Sequence, residues 1–162
     1  MTTAVVPGSF DPPTLGHVDV IQRASNAFST VVVAVLVNPS KTPMFAVEER
    51  IAMLERISQD LGNVDVESFE GLMAEFAAAR APSVILKGLR VVSDFEYELQ
   101  MAQMNRHLKG VETMFVPTSA THAYLSSSLV KEVARFGGRL EGLVPPVVEK
   151  ALLAKYPQAG EG

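Results

Sequence analysis

Ala4-Val5-Val6-Pro7-Gly8-Ser9-Phe10-Asp11-Pro12-Pro13-Thr14-Leu15-Gly16-His17 decides the reading of this chain. The aliphatic run 4–6 has the composition of a short buried strand, and residues 7–13 are rich in Gly and Pro, which interrupt regular structure. Val18, Ile21, Ala24 and Phe28 then recur at the three- and four-residue spacing of one helix face, which puts a helix start near Thr14. A strand, a loop and a helix in that order leave unpaired N–H groups and the positive end of a helix dipole at the loop mouth, where an anion is readily held. Ser9 supplies a hydroxyl there and His17 lies in the first helical turn. The stretch is therefore expected to hold the phosphates of a nucleotide.

Working outward, the runs 31–37, 64–69, 84–86 and 113–116 are short, mostly β-branched or aliphatic, and bounded by turn residues, as strands are. Helical spacing separates them: Val47, Ile51, Leu54 and Ile57, a short Ala-rich connection over 72–80, and, less regularly, Phe95, Leu99, Ala102 and Leu108. Continuous apolar strands joined by helical crossovers predict an α/β fold, a doubly wound five-stranded parallel sheet covered on both faces. After 116 the pattern changes. Ser126, Ser127 and Ser128 open a helix that Gly137 and Gly138 stop, and Pro145-Pro146 opens a last helix from 147 to about 155. The whole of 1–162 reads as one domain, with C-terminal helices over about 127–156 and a tail, 157–162, expected to fray.

Composition narrows the partners. The chain has 162 residues, 48% of them hydrophobic, a formal net charge of −4 and no cysteine. An acidic balance does not suit a protein that coats nucleic acid or an anionic membrane, and the missing cysteine excludes thiolate nucleophiles, disulfides and Cys-ligated zinc. The longest apolar run, 31–37, falls far short of the ~18 residues a membrane span needs, and Met1-Thr2-Thr3 has no basic leader. A cytoplasmic protein is the expectation.

In a doubly wound sheet, ligands bind beyond the carboxyl ends of the strands. The residues suited to phosphate chemistry fall in that position four times: the 7–17 loop, Asn38-Pro39-Ser40-Lys41, Lys87-Gly88-Leu89-Arg90, and the segment 117–128. Four loops distant in sequence would then meet at one cleft. Neither G-x-G-x-x-G after the first strand nor G-x-x-x-x-G-K-[ST] anywhere is present, so the dinucleotide and P-loop readings lose their main support.

Thr14-Leu15-Gly16-His17 resembles the [ST]-x-G-H signature of the nucleotidyltransferase superfamily, and the serine-rich helix start at Ser126, Ser127 and Ser128 resembles its second signature. Together with Pro7-Gly8-Ser9-Phe10-Asp11-Pro12, Asn38-Pro39-Ser40-Lys41, Lys87-Gly88-Leu89-Arg90, Asp94-Phe95-Glu96-Tyr97-Glu98, Met104-Asn105-Arg106-His107 and Ser126-Ser127-Ser128-Leu129-Val130-Lys131-Glu132, the chain resembles the bacterial phosphopantetheine adenylyltransferase family over almost its whole length. The resemblance implies a Rossmann-like nucleotidyltransferase fold and transfer of the adenylyl group of ATP to 4′-phosphopantetheine, with pyrophosphate released. Two departures stand out: Lys87 occupies a position that is arginine in some relatives, and Leu15 replaces a common asparagine. Lysine keeps the charge and loses the bidentate fork.

The resemblance also implies roles. The acceptor phosphate attacks the ATP α-phosphorus in line, so positioning and charge stabilisation replace a nucleophilic residue. His17 would donate to the α-phosphate, with Ser9, Lys41 and Arg90 completing the catalytic set and the Phe10 amide lying between the substrates. Ser9, Phe10, His17, Gly88, Leu89, Arg90, Glu98 and the run His122, Ala123, Tyr124, Leu125, Ser126, Ser127 and Ser128 would serve ATP. Ser9, Lys41, Met73, Lys87, Asn105 and Glu132 would serve phosphopantetheine. Mg2+ would accompany ATP with few protein ligands. A homohexamer, a dimer of trimers, and feedback by coenzyme A are implied as well.

Each residue has a plainer explanation when taken singly. His17 could be a helix cap, Lys41 a solvated loop lysine, and Ser126, Ser127 and Ser128 an N-cap whose exposed N–H groups also suit phosphate. His107 and His122 lack the motif context of His17. Asp94, Glu96 and Glu98 suit the first turns of a helix whatever their role, and Met101 and Met104 suit a core or a subunit contact better than a substrate. Two rival readings remain: another acceptor within the superfamily, such as nicotinate mononucleotide or a cytidylyl acceptor, and a non-catalytic nucleotide-binding module.

Overall fold

The computed structural model describes residues 2–81 and 83–157. The strands are β1 (Thr3–Gly8), β2 (Thr30–Leu36), β3 (Val64–Phe69), β4 (Ser83–Leu89) and β5 (Glu112–Pro117); the helices are α1 (Leu15–Ala27), α2 (Val47–Ser58), α3 (Met73–Ala78), α4 (Val92–Lys109), α5 (Ser127–Arg135) and α6 (Pro146–Lys155). The sheet order is β3-β2-β1-β4-β5 and every pairing is parallel. The order reverses between β1 and β4, so the expected doubly wound sheet is present and its switch point lies beside the 7–17 loop. Of the tail expected to fray, 158–162 lies outside the described residues.

Period-two alternation divides the sheet's side chains between two cores. Ala4, Val6, Val31, Val33, Val35, Val84 and Leu86 join Val20, Ile21, Ala24 and Leu54 of α1 and α2. Val5, Ala34 and Ile85 point the other way, to Phe69, Ala77 and Val111. A third cluster gathers Phe45, Met53, Val130, Ala134, Val148 and Leu152, which fastens α5 and α6 onto α2.

Two expectations change. Pro7 and Gly8 belong to β1, paired with Ala34 and Val35, and Lys87, Gly88 and Leu89 belong to β4, paired with β5. The loop residues expected there are strand residues, because pairing between β1 and β4 stops at Val5 and Ile85 while each strand continues along its other neighbour. An unpaired strand edge tolerates the Pro and Gly that the sequence pattern reads as breaks. The parting of β1 from β4 is the floor of the site. The second change concerns α4, whose Phe95, Leu99 and Leu108 are exposed, not buried as an apolar helix face would be; Met101 and Met104 are exposed as well, which leaves the subunit contact of their two expected settings.

Candidate active site

The β1–α1 turn is built around His17. Thr14 is the N-cap of α1, and its side chain accepts from the His17 N–H at 3.4 Å. In return, the His17 Nδ1 accepts the Thr14 backbone N–H at 2.9 Å. A nitrogen that accepts an N–H carries no proton, so the neutral ring has its hydrogen on Nε2 and is a donor there. Burial and, secondarily, the positive charge of Arg90 lower the His17 pKa to about 4. The ring is a neutral hydrogen-bond donor at physiological pH. It meets the Phe10 ring edge-on, with centroids 5.0 Å apart.

Phe10 is buried and has φ +50°, a left-handed backbone that side-chain-bearing residues seldom adopt. Strain of this kind marks a loop held by its surroundings. Gly8 makes room for it, since a Cβ at Gly8 would come within 3.0 Å of the Phe10 ring. Asp11, also buried, accepts from the backbone N–H groups of Met44 and Phe45 at 2.9 and 2.8 Å and from the Lys131 Nζ at 3.2 Å. One carboxylate thus fixes the loop to the segment ahead of α2 and to α5.

Three cavities surround this loop. The first, about 360 Å³, is lined by Gly8, Phe10, Thr14, Gly16, His17, Lys87, Gly88, Arg90, Glu98, Leu125, Ser126, Ser127 and Ser128. It receives the N-terminal ends of α1 and α5 and so gathers N–H donors as well as Arg90. Arg90 donates to the Leu125 carbonyl at 2.9 Å and to Asp94 at 3.2 Å, so its guanidinium is already oriented. Of the three serines, Ser126 caps α5 by accepting from the Leu129 N–H, and Ser127 donates to the Pro12 carbonyl at 2.8 Å. Gly88 is required by close approach: a Cβ there would stand 2.9 Å from Val20.

The second cavity, about 350 Å³, is mostly apolar, with Leu36, Phe69, Leu72, Met73, Ile85, Met101 and Met104 among its walls and Ser9, Lys87, Tyr97, Glu98, Asn105 and Thr113 as its polar side chains. Lys87 and Glu98 form a salt bridge of 3.2 Å and line both cavities, so this pair stands at their junction. A third hollow, about 470 Å³, contains Ser9, Asp11, Asn38, Lys41, Arg50 and Lys131.

The structure therefore brings His17, Arg90, Lys87, Gly88, Glu98, Leu125, Ser126, Ser127 and Ser128 to one cavity, and Ser9, Met73 and Asn105 to the adjoining one. Ser9 lines the second and third hollows and not the cavity of His17. Lys41 is exposed and lines a different hollow from Lys87. Glu132 lines a separate groove with Arg135 and Tyr156. Leu89, His122, Ala123 and Tyr124 are not on the cavity wall; Tyr124 is exposed, and His122 has a buried Nδ1 without a partner. Asp11, Arg50 and Lys131 were not singled out from sequence. For Arg50 a signal exists, since a charged residue sits three after Val47 and four before Leu54, on the apolar face of its helix.

Residues 5–133 match the model of the cytidylyltransferase-like family. The chain is 57% identical over 152 residues to a phosphopantetheine adenylyltransferase of Streptomyces coelicolor, covering 94% of this chain and 96% of that one. It is 53% identical to one of Clostridium novyi, covering 96% and 97%, and 51% identical to one of Caldanaerobacter subterraneus, covering 98% and 100%. Among solved structures, a putative nicotinate-nucleotide adenylyltransferase from Vibrio parahaemolyticus superposes with a TM-score of 0.68 at 18% identity over 99% of this chain and 96% of that one. A nicotinic acid mononucleotide adenylyltransferase from Plasmodium falciparum gives 0.67 at 14%, covering 96% of each chain. At these identities the two solved structures speak for the fold alone.

Proposed function

The chain belongs to the phosphopantetheine adenylyltransferases, within the cytidylyltransferase-like family, and from that premise we propose how its cavities divide the reaction. The activity is transfer of the adenylyl group of ATP to 4′-phosphopantetheine, giving dephospho-coenzyme A and pyrophosphate, a step of coenzyme A synthesis. ATP takes the polar cavity and the pantetheine arm takes the apolar one, with the reacting phosphates at the junction that Gly8, Lys87 and Glu98 share. The observation that carries this division is the contrast in the two linings across a single ion pair.

His17, a neutral Nε2–H donor, stabilises charge that grows on the α-phosphate oxygens during in-line attack, a role worth ~10²–10³ in rate. Arg90 and the N-terminal N–H groups of α5 hold the ATP phosphates, and Lys87 exchanges Glu98 for the acceptor phosphate. Met73 and Asn105 contact the pantetheine arm, while Lys41 and Ser9 approach the acceptor phosphate from the third hollow. Leu89 and the run His122, Ala123 and Tyr124 lie on the adenosine side, and Glu132 assists the acceptor from outside the cavity wall.

Magnesium would enter with ATP. The polar residues around the phosphate cavity are hydroxyl and N–H donors with Lys87 and Arg90, its two carboxylates Glu98 and Asp94 are paired with those cations, and among the described residues no cluster of three His, Asp or Glu gathers. A hydrated ion bound through phosphate oxygens suits such a site. Coenzyme A, which carries both the pantetheine arm and the adenosine, would span the same two cavities and compete with the substrates. The apolar residues that α4 leaves exposed, among them Val92, Phe95, Leu99 and Leu108, support burial against further copies of the chain and the hexamer expected from the family resemblance. No helix among the described residues is long and apolar enough to cross a membrane. The requirement for ATP supports a cytoplasmic location.

The direct test is incubation with ATP, magnesium and 4′-phosphopantetheine, following pyrophosphate. Release that requires this acceptor is expected; release with nicotinate mononucleotide and none with phosphopantetheine would overturn the reading.

A further inference from the structure

Beyond Gly8 and Val35 the β1–β2 ladder ends, and the next residues that would face each other are Ser9 and Leu36. They are joined by a side chain. The Arg50 Nη1 donates to the Ser9 carbonyl at 2.8 Å and to the Leu36 carbonyl at 3.1 Å. Arg50 is only 4% exposed, its Nε is buried without a partner, and among the described residues no salt bridge reaches it. Burying an unpaired guanidinium is expensive, and an apolar residue would suit the Val47 and Leu54 face of α2 better. General packing does not account for it.

We propose that Arg50 is a positioning residue for adenylyl transfer, a guanidinium clamp that takes the place of the next β1–β2 rung and sets the distance between the Ser9 loop and the Lys41 loop. The inference rests on the adenylyltransferase reading, because the two carbonyls it joins belong to or lead into the residues, Ser9 and Lys41, assigned to the acceptor phosphate. Ser9 precedes Phe10, whose left-handed backbone must be held from outside, and Leu36 precedes the Asn38-to-Lys41 turn. Both loops border the hollow that Arg50 also lines. A planar cation reaches two carbonyls from one nitrogen and adds positive charge beneath a site for anions. A shift of about 1 Å in such a loop is enough to cost ~10²-fold in rate.

The test is R50A and R50K beside the unaltered enzyme, with ATP-binding capacity measured calorimetrically on each. The proposal expects kcat of R50A to fall at least ~30-fold with the KM for ATP within about threefold, full ATP-binding capacity, and partial recovery of kcat on adding guanidinium at tens of millimolar. R50K, which keeps the charge on a shorter and non-planar group, should lose ~10-fold. Unchanged kcat in R50K or R50A overturns the proposal. So does a loss that only follows the fraction of protein able to bind ATP, without rescue, since that is what a purely structural arginine gives. If R50A does not fold, R50K alone decides on the same kcat criterion. Failure of the unaltered enzyme to release pyrophosphate would instead count against the adenylyltransferase reading, so the two failures are separable.

Discussion

The Thr14 backbone N–H points into the Nδ1 of His17 at 2.9 Å, and this bond assigns the ring proton to Nε2. A histidine held in that tautomer, in a cavity with Arg90 and a helix N-terminus, has an N–H to offer an anion, as the proposed role requires. His17→Ala should therefore lower kcat by at least ~10² and leave ATP binding nearly intact, because the bond strengthens as charge builds in the transition state. Turnover compared with calorimetric ATP affinity checks this. A rise in the KM for ATP with kcat preserved would assign the ring to ground-state binding instead.

Protonation of His17 follows from the same geometry. Its pKa is lowered to about 4, chiefly by burial and then by Arg90, while the unfolded ring titrates near 6.5. Between those values the unfolded chain binds the extra proton, so this residue makes stability fall as pH drops from about 6.5 to about 4, with no further loss below. Above 6.5 it contributes no pH dependence. NMR titration of the His17 ring should give a midpoint near 4, and Arg90→Gln should raise it only partway, since burial is the larger cause. A midpoint above 6 in the unaltered protein would contradict the neutral-donor role.

Lys41 tests the division between substrates. It lies on an exposed turn bordering the hollow of Ser9 and Lys131 and does not line the cavity of His17 and Arg90. Losing one charge-assisted bond to phosphate typically costs ~10-fold or more in affinity, so Lys41→Ala should raise the KM for phosphopantetheine by about that factor and change the KM for ATP less than threefold. Steady-state kinetics with each substrate varied in turn would show it. Equal losses for both would place Lys41 between the substrates.

The sheet was legible because its signals are local: aliphatic runs for the strands, helical spacing for α1 and α2, and a Thr-x-Gly-His cap that Thr14 and His17 close as a reciprocal pair. The ends of β1 and β4 were not legible. Pro7, Gly8 and Gly88 read as interruptions, yet each strand keeps one neighbour and loses the other, which is a property of the sheet order and not of any segment. The exposed apolar side of α4 was hidden for a similar reason, since spacing reveals a helix face and not what covers it. His17 could be found from its motif. Asp11 and Arg50 act through contacts 33 and 41 residues away, and their side chains carry no local sign of those partners.

Those long-range contacts make Asp11 more important to stability than its ion pair suggests. Its two carboxylate oxygens satisfy the Met44 and Phe45 N–H groups, the second of them buried, whereas Lys131 remains about one-third exposed. Asp11→Ala leaves two backbone donors and an ammonium without partners, and the unpaired-donor cost dominates: a loss of ~2–4 kcal/mol is expected. Lys131→Met removes only a charge about one-third exposed and keeps both backbone bonds, so it should cost less than ~1 kcal/mol. Asp11→Asn falls between, since its amide can accept from one backbone N–H but presents a donor to the other. Urea unfolding of the three variants gives the order directly. Lys131→Met destabilising as much as Asp11→Ala would mean that the ion pair, and not the backbone bonds, holds the loop against α5.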